Sequence, residues 1–336
     1  MARSRRVKKY WQDGTMLRSS LIFLSKAAWA QKLITNWSFA SNAASRFVPG
    51  EKTEDVIKAI RELNKNGFNA TLNHLGEHIS TADEAEKATD EILLVLSEID
   101  KANVKSNVSI KLTQIGIGLD ERTCQQNLVQ ILAQVKKCNN FLRVDMEDTP
   151  YTDITISLYQ SMLERDFDQR HMGLVLQAYL FRTEQDLRKL LDEGTRIRLV
   201  KGAYNEPPDR AYPEKADTDA NYDLLTKIMI DAALKMDGNT VSADGLIPPF
   251  VAIASHDENR IAFAKQYAEK AGLPKNAIEF QMLYGIRRDL QNQLVKEGYP
   301  VRVYVPYGTQ WYQYFMRRLA ERPANIWFFV SNYFRK

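Results

Sequence analysis

Eight short β-rich apolar runs alternate with eight longer helical patterns along this chain of 336 residues. The apolar runs occupy residues 68–76, 107–113, 141–148, 172–179, 196–203, 250–257, 278–285 and 301–308. The helical patterns that follow them occupy residues 83–100, 121–137, 154–165, 183–193, 219–235, 258–271, 286–297 and 311–322. Strands that alternate with helices form parallel sheets, and eight such units close into a barrel. The alternation therefore predicts the α/β class and a (β/α)8 TIM-like barrel.

The rest of the chain is expected to form two segments ahead of the barrel, which we place at residues 67–336. Residues 1–15 form a basic arm whose order is left open, and residues 16–66 form a helical segment that packs on the barrel. The longest gap between runs contains residues 206–218, which are rich in Pro and Asp. This composition predicts an extended loop at the rim of the barrel.

Charge is unevenly distributed, although the net charge is only +4 and the composition is that of an ordinary globular protein. The first fifty residues contain nine Lys or Arg residues and one acidic residue. No mixed basic and aromatic pattern continues beyond them, so we expect surface decoration or a weak peripheral membrane contact rather than nucleic-acid binding. Two cysteines, Cys124 and Cys138, indicate no disulfide framework. With no transmembrane or signal segment predicted, we expect a cytoplasmic protein.

Polar residues cluster where the apolar runs end. They are Lys111, Thr113 and Gln114; Asp145, Glu147 and Asp148; Gln177 and Tyr179; Arg198, Lys201 and Tyr204; Ser255, His256 and Asp257; Gln281 and Tyr284; and Tyr304 and Tyr307. The carboxyl ends of the strands meet at one end of such a barrel, where active sites lie. Unpaired polar groups are costly to bury. So many at one rim therefore indicate a functional site.

The last helical pattern carries Tyr314, Arg317, Arg318 and Glu321 at spacings of three and four residues, which places them on one face. Guanidinium groups match carboxylate or phosphate, so this face suits an anionic ligand. The alternative is an ordinary solvated charged face. Its position directly after the eighth run favours the ligand-binding interpretation.

Two other groups of residues leave alternatives open. His74 and His78 have a spacing that metal sites use, but no third ligand is in register, so we expect no metal. Lys111 and Lys201 interrupt apolar runs. Each is interpreted either as an ion-pair partner or as the nucleophile of a Schiff-base aldolase.

The chain resembles the proline dehydrogenase family. The motifs that carry the resemblance are SIKLTQ at 109–114, RVDMED at 143–148, LQAY at 176–179, RLVKGAY at 198–204 and YFMRRLAE at 314–321. The resemblance extends from about residue 16 to the C-terminus. It is to the monofunctional bacterial type.

The resemblance implies a distorted barrel that uses FAD to oxidise L-proline to Δ1-pyrroline-5-carboxylate, with a quinone as electron acceptor. It implies catalytic roles for Asp145 and Arg198. Substrate-binding positions would be Lys111, Tyr204, Leu283, Tyr304, Tyr314, Arg317 and Arg318. Cofactor-binding positions would be Met146, Gln177, Arg198, Lys201, Gly202, Ala203, Ser255, His256 and Glu321.

Two positions refine these expectations. Tyr304 matches the family and favours proline over hydroxyproline. Asp257 departs from it and adds a negative charge near the expected cofactor. Besides the aldolase, the alternative from another class is a degenerate barrel that acts as a binding protein. The oligomeric state is left open.

Overall fold

Each of the eight predicted runs overlaps a strand in the computed structural model, which describes residues 44–76, 79–165, 167–236 and 238–321. The strands are β1 (Asn69–His74), β2 (Ser106–Ile110), β3 (Leu142–Val144), β4 (Met172–Gln177), β5 (Arg196–Val200), β6 (Val251–Ala254), β7 (Ile278–Leu283) and β8 (Val301–Tyr307). Neighbouring strands pair in parallel, and β1 pairs with β8. The sheet is therefore a closed barrel, and the predicted fold class is confirmed.

In the part of the chain that the structure describes, a helix leads into β1 and one helix follows each strand. The helices are α1 (Thr53–Lys65), α2 (Ala82–Ala102), α3 (Glu121–Lys137), α4 (Thr149–Leu163), α5 (Thr183–Asp192), α6 (Lys215–Ala233), α7 (Glu258–Ala271), α8 (Arg288–Lys296) and α9 (Trp311–Glu321). Short 3-10 turns lie at Leu112–Gln114 and Lys275–Ala277. The helix α3 illustrates the packing, because Cys124, Leu128, Ile131 and Val135 form one buried stripe.

Two helices begin earlier than the sequence predicted. The helix α4 begins at Thr149 rather than 154, because Pro150 fits the first turn of a helix, where its missing N–H costs no hydrogen bond. The helix α6 begins at Lys215, so the predicted loop 206–218 was wrong over its last four residues. The residue before it, Glu214, is extended and ends the loop.

The interior of the barrel is polar. The guanidinium of Arg198, on β5, bonds to Ser109 on β2 and to Gln281 on β7. Neither strand is a neighbour of β5, so these bonds cross the interior. Nearer the other end, Arg302 and Glu279 form a fully buried ion pair with 2.9 Å between Nε and Oε1. The barrel therefore holds charged groups that must satisfy one another.

The amino-terminal end of the barrel is closed by the loop that precedes β6. Asn107 Nδ2 donates to the Leu246 carbonyl at 2.9 Å, and Arg302 Nη2 donates to the Gly245 carbonyl at 2.8 Å. A ligand must therefore enter from the carboxyl end, as in other barrels of this class.

The helix α9 lies across the carboxyl end of the barrel. Its apolar side chains form a cluster separate from the main core, with residues of the described N-terminal segment and of the loops after β1 and β7. The cluster contains Ala44, Phe47, Val48, Leu75, Ile286, Trp311, Tyr312, Tyr314, Phe315, Met316 and Leu319. The indole of Trp311 also donates to Glu51 at 3.0 Å. Tyr314 of this helix interacts electrostatically with Tyr304 on β8, so α9 lies near the end of that strand.

Residues 1–43 contain the predicted basic arm and most of the predicted N-terminal helical segment, and they lie outside the described residues. The division of the chain into three segments therefore stays a prediction. Among the described residues, no helix is both long enough and apolar enough to cross a membrane.

Candidate active site

Asp145 and Arg198 form an ion pair at the centre of the carboxyl end. Arg198 Nη1 lies 2.8 Å from Asp145 Oδ1, and the side chains are 5% and 13% exposed. Asp145 follows the end of β3, while Arg198 lies in the middle of β5. The structure thus brings together the two residues that the resemblance marked as catalytic. Burial makes their pairing obligatory, because removing one partner of such a pair leaves an unpaired charge.

Two further groups complete the surroundings of this pair. The hydroxyl of Ser109 donates to Asp145 Oδ1 at 2.8 Å and lies 3.1 Å from Arg198 Nη1. The carbonyl oxygen of the Gln281 side chain accepts from Arg198 Nε at 2.5 Å. Gln281 was noted from the sequence as a polar residue at a strand end, but neither Gln281 nor Ser109 was assigned a catalytic or binding role. The guanidinium is therefore held by acceptors from three directions.

Tyr304 connects the pair to the eighth strand. Its hydroxyl donates to Asp145 Oδ2 at 2.8 Å, and Arg198 lies 5.4 Å from the centre of its ring. Burial raises the pKa of the Tyr304 phenol well above its usual value, and the Asp145 carboxylate raises it further. The hydroxyl therefore stays protonated and acts as a hydrogen-bond donor.

Lys201 lies beside this centre and contacts two carboxylates. Its ammonium donates to Asp219, and it donates to Asp257 Oδ2 at 2.6 Å. Asp219 was missed from the sequence because it belongs to a helix, eighteen residues further on. Burial alone would raise the pKa of Asp257, but bonding to Lys201 and the backbone N–H of Asn259 lowers it to about 2. Asp257, noted as a departure from the family, thus balances a lysine.

The predicted arginine face of α9 is present. Tyr314 is buried, Arg317 and Arg318 are half-buried, and Arg318 lies 5.1 Å from the centre of the Tyr314 ring. A cation held against an aromatic ring is oriented without losing its donors. The side chain of Glu321 lies outside the described residues, so its predicted role has no geometry here.

The ends of β2, β3 and β4 form another side of the site. Lys111 is half-buried, and Gln114 bridges its backbone N–H to the carbonyl of His74 at 2.9 and 2.6 Å. The Glu147 carboxylate accepts from the N–H and the hydroxyl of Thr113 at 3.0 and 2.6 Å.

Two predicted cofactor positions lie on this side as well. The side chain of Gln177 donates to the backbone carbonyl of Glu147 at 2.8 Å, and Met146 is buried. These bonds hold the strand ends together at the rim.

Gly202 is required by its own backbone and by a neighbouring ring. Its φ is +116°, and an added Cβ would lie 2.2 Å from Cδ1 of Tyr179. The family resemblance places Gly202 among the cofactor-binding positions, and the structure adds an intramolecular reason for a glycine here. The next two residues, Ala203 and Tyr204, are exposed at the rim.

The loop of residues 201–214, which follows β5, is hydrogen-bonded to neighbouring parts of the rim. Tyr212 N donates to the Tyr179 carbonyl at 2.8 Å, and the Glu206 carboxylate accepts from Thr149 N at 2.8 Å. These bonds make residues 201–214 a fixed part of the rim.

The segment after β6 is ordered by local bonds. His256 Nε2 accepts from the backbone N–H of Leu283 at 3.0 Å, so a neutral imidazole carries its proton on Nδ1. Ser255 Oγ accepts from Asp257 N at 3.0 Å. Leu283, a predicted wall residue, is half-buried and packs against the cluster of α9.

Of the two histidines whose spacing is one that metal sites use, His74 is among the described residues. His74 Nε2 lies 2.9 Å from Glu91, and burial lowers the pKa of His74 despite that carboxylate. His78 lies outside the described residues. The expectation of no metal therefore stays a prediction.

A closed parallel barrel with an ion pair and a cationic helix at its carboxyl end defines an enzyme of the (β/α)8 class. Comparison with known proteins identifies the family. The sequence model of the family described as "Proline dehydrogenase" matches residues 56–330. The chain therefore belongs to the proline dehydrogenase family and is an enzyme of that type, as the resemblance indicated.

Individual relatives agree with this assignment. Proline dehydrogenase 1 of Bacillus subtilis (strain 168) is 38% identical over 324 residues, which cover 96% of this chain and 100% of the relative. Proline dehydrogenase of Deinococcus radiodurans is 41% identical over 293 residues, covering 86% of this chain and 89% of the relative. The bifunctional protein PutA of Escherichia coli (strain K12) is 26% identical, and only 23% of its length is matched. Of these three relatives, the two proline dehydrogenases are matched over most of their length and at higher identity than the bifunctional protein.

A solved structure supports the fold. Proline utilization A from Bdellovibrio bacteriovorus, inactivated by N-propargylglycine, superposes with a TM-score of 0.76 at 24% identity. The match covers 93% of this chain and 37% of that one.

Proposed function

We propose that this protein oxidises L-proline to Δ1-pyrroline-5-carboxylate with FAD as the electron acceptor. The observation that carries the proposal is the buried Arg198–Asp145 pair, with 2.8 Å between Nη1 and Oδ1, beneath a helix that bears two arginines. The buried Arg198 is suited to a redox cofactor, and the two arginines of the helix are suited to an amino-acid carboxylate.

The donors at the carboxyl end fit a flavin. A buried guanidinium favours the negative charge that a flavin ring gains on reduction, and polar donors suit the phosphate and ribityl groups. The residues that would hold FAD are Met146, Gln177, Arg198, Lys201, Gly202, Ala203, Ser255, His256 and Glu321. When bound, FAD supplies the acceptor for a hydride from the carbon next to the amine nitrogen. The protein supplies binding, orientation and charge.

The substrate carboxylate would be bound by Lys111, Arg317 and Arg318. A carboxylate that leaves water needs several charged donors, and two guanidiniums offer forked ones. Because the carboxylate is attached to the substrate ring, holding the carboxylate also positions the carbon that reacts.

The apolar part of the substrate would be enclosed by Tyr204, Leu283, Tyr304 and Tyr314. Because the Tyr304 hydroxyl donates to Asp145, the ring of Tyr304 is held in a fixed orientation beside Arg198. We propose that this ring excludes water and leaves no room for the additional hydroxyl of hydroxyproline.

The electrons would pass to a quinone, and the basic N-terminal residues would make a peripheral contact with an anionic membrane surface. Nine Lys or Arg residues against one acidic residue in the first fifty support this contact. A cytoplasmic location fits the proposal, and the oligomeric state stays open.

The visible spectrum tests the proposed function directly. We expect the purified protein to be yellow, and we expect its absorbance near the flavin maximum to fall when L-proline is added without oxygen. An unchanged spectrum, or a colourless protein that does not take up FAD at micromolar concentration, would contradict the proposal.

The aldolase alternative is disfavoured by the surroundings of Lys201. A Schiff-base nucleophile must be free to attack a carbonyl, whereas the Lys201 nitrogen is held by hydrogen bonds to Asp219 and Asp257. Borohydride trapping of a carbonyl substrate on Lys201 or Lys111 would support the aldolase instead.

A further inference from the structure

A continuous row of hydrogen-bonded side chains leads through the interior of the barrel from Arg302 to Arg198. Arg302 Nε donates to Glu279 Oε1 at 2.9 Å, and Gln281 Nε2 donates to the same oxygen at 2.6 Å. The other atom of the Gln281 amide, Oε1, accepts from Arg198 Nε at 2.5 Å. Four side chains from β5, β7 and β8 are thus joined in one line.

The row determines which way the Gln281 amide faces. An amide can turn over and exchange its donor with its acceptor, and only its partners decide between the two orientations. An ionised carboxylate accepts hydrogen bonds and donates none, so Glu279 must face the NH2 group. The carbonyl oxygen of Gln281 then faces Arg198. The reverse orientation would oppose donor to donor at Arg198.

Burial makes this orientation decisive. Glu279 and Arg302 are 0% and 1% exposed, and Gln281 and Arg198 are 4% exposed. Bulk water therefore has little access to replace a lost partner, and an unsatisfied buried polar group is costly. A further charged side chain of the barrel, Arg143, is also buried, and it repels both Arg198 and Arg302. Glu279 is thus the carboxylate that balances the positive charge of Arg302 in this row.

We propose that Gln281 is a positioning residue for Arg198, and that Glu279, ion-paired with Arg302, sets the orientation of its amide. Asp145 and Ser109 hold Nη1 of the guanidinium, while Gln281 holds Nε. Two anchors on different nitrogens fix the plane of the group as well as its location. The role in catalysis rests on the proposed function, whereas the role in holding the side chain does not.

Gln281→Met tests the catalytic part, because it keeps the length of the side chain, removes the acceptor and leaves no ion unpaired. We expect kcat for proline to fall about tenfold or more, which corresponds to the loss of one hydrogen bond to a charged group. The KM should stay within about twofold, because the carboxylate is bound elsewhere. Asn127→Leu is the control, since it removes another buried amide, on α3, whose bond to the Ile115 carbonyl lies outside the row. Equal effects of the two variants on kcat would overturn the catalytic role.

The second measurement does not depend on activity. In protein labelled with 15N-arginine, the Nε–H signal of Arg198, assigned by its absence in Arg198→Lys, should exchange slowly with water. We expect faster exchange in Gln281→Met and in the double variant Glu279→Leu/Arg302→Met, which removes both charges of the pair together. Unchanged exchange in both would overturn the proposed positioning.

The two measurements separate failure of the inference from failure of the proposed function. If the wild-type spectrum does not respond to proline, the proposed function is wrong and the exchange rates alone decide whether Gln281 holds Arg198. If the spectrum responds and kcat of Gln281→Met stays within about twofold of the wild type, the inference is wrong and the proposed function stands.

Discussion

At the scale of single residues, the site is organised by the cost of burying charge. Arg198 has partners on three other strands or strand ends, namely Ser109, Asp145 and Gln281. Any one of them would be a poor partner alone, because desolvation of a guanidinium exceeds what one bond returns. The sequence indicated that polar residues end the strands, but it could not pair them, since Asp145 and Arg198 are 53 positions apart.

The arginine pair of α9 should control binding of the substrate. We expect Arg317→Met and Arg318→Met each to raise the KM for proline about tenfold to a hundredfold, because each removes charged donors to the carboxylate. Steady-state kinetics with proline as the variable substrate measure this. Arg188→Met is the matched control, as Arg188 is exposed and pairs with Glu184 on the outside of the barrel. If neither variant of α9 changes KM more than the control does, these arginines do not bind the carboxylate.

At the scale of elements, the site is formed by loops and one helix that leave the regular barrel. The loop 201–214 is bonded to the start of α4 and to Tyr179 after β4, and α9 packs on a cluster of its own. The sequence located α9 correctly because its apolar and charged residues repeat with the helical period. It misplaced the start of α6, because Pro213 and the acidic residues after it are typical of loops and of first helical turns alike.

Gly202 should be much less tolerant of alanine than another glycine that also has a positive φ. Gly194 also has a positive φ, +75°, but an added Cβ there would meet nothing within 4 Å. We expect Gly194→Ala to cost about 1 kcal/mol of unfolding free energy from backbone strain alone. Gly202→Ala should cost more and should weaken FAD binding, because the Tyr179 ring must move. Urea denaturation and FAD titration measure the two effects. Equal losses of stability would show that the ring contact is unimportant.

At the scale of the whole molecule, an ion pair at the rim of the barrel makes stability depend on pH. The folded-state pKa of Asp257 is about 2, below the value of an unfolded aspartate. Its ion pair with Lys201 therefore stabilises the fold above about pH 4, and this contribution disappears as the pH falls through about 2. The group is partly accessible, so we discount the contribution to about 1–2 kcal/mol.

Asp257→Asn isolates this contribution, because Asn also caps helices well and Asp257 caps α7. We expect the wild type to exceed the variant in unfolding free energy above about pH 4, and we expect the difference to disappear near pH 2. Urea denaturation of both proteins across this range provides the comparison. A difference that does not change with pH would mean that the loss comes from the cap and not from the ion pair.

The sequence by itself determined the order of elements, the barrel and the identity of most polar side chains at its carboxyl end. It could do so because period-two and helical patterns depend on neighbours a few residues away, and because parallel strands all end on one side. Only the tertiary structure decided which polar side chains pair. Asp145 pairs with Arg198 and Lys201 with Asp219, while Gln281 bonds to both Glu279 and Arg198. Those pairings join distant parts of the chain across the barrel interior, where low exposure and exact distances select partners that no local pattern encodes.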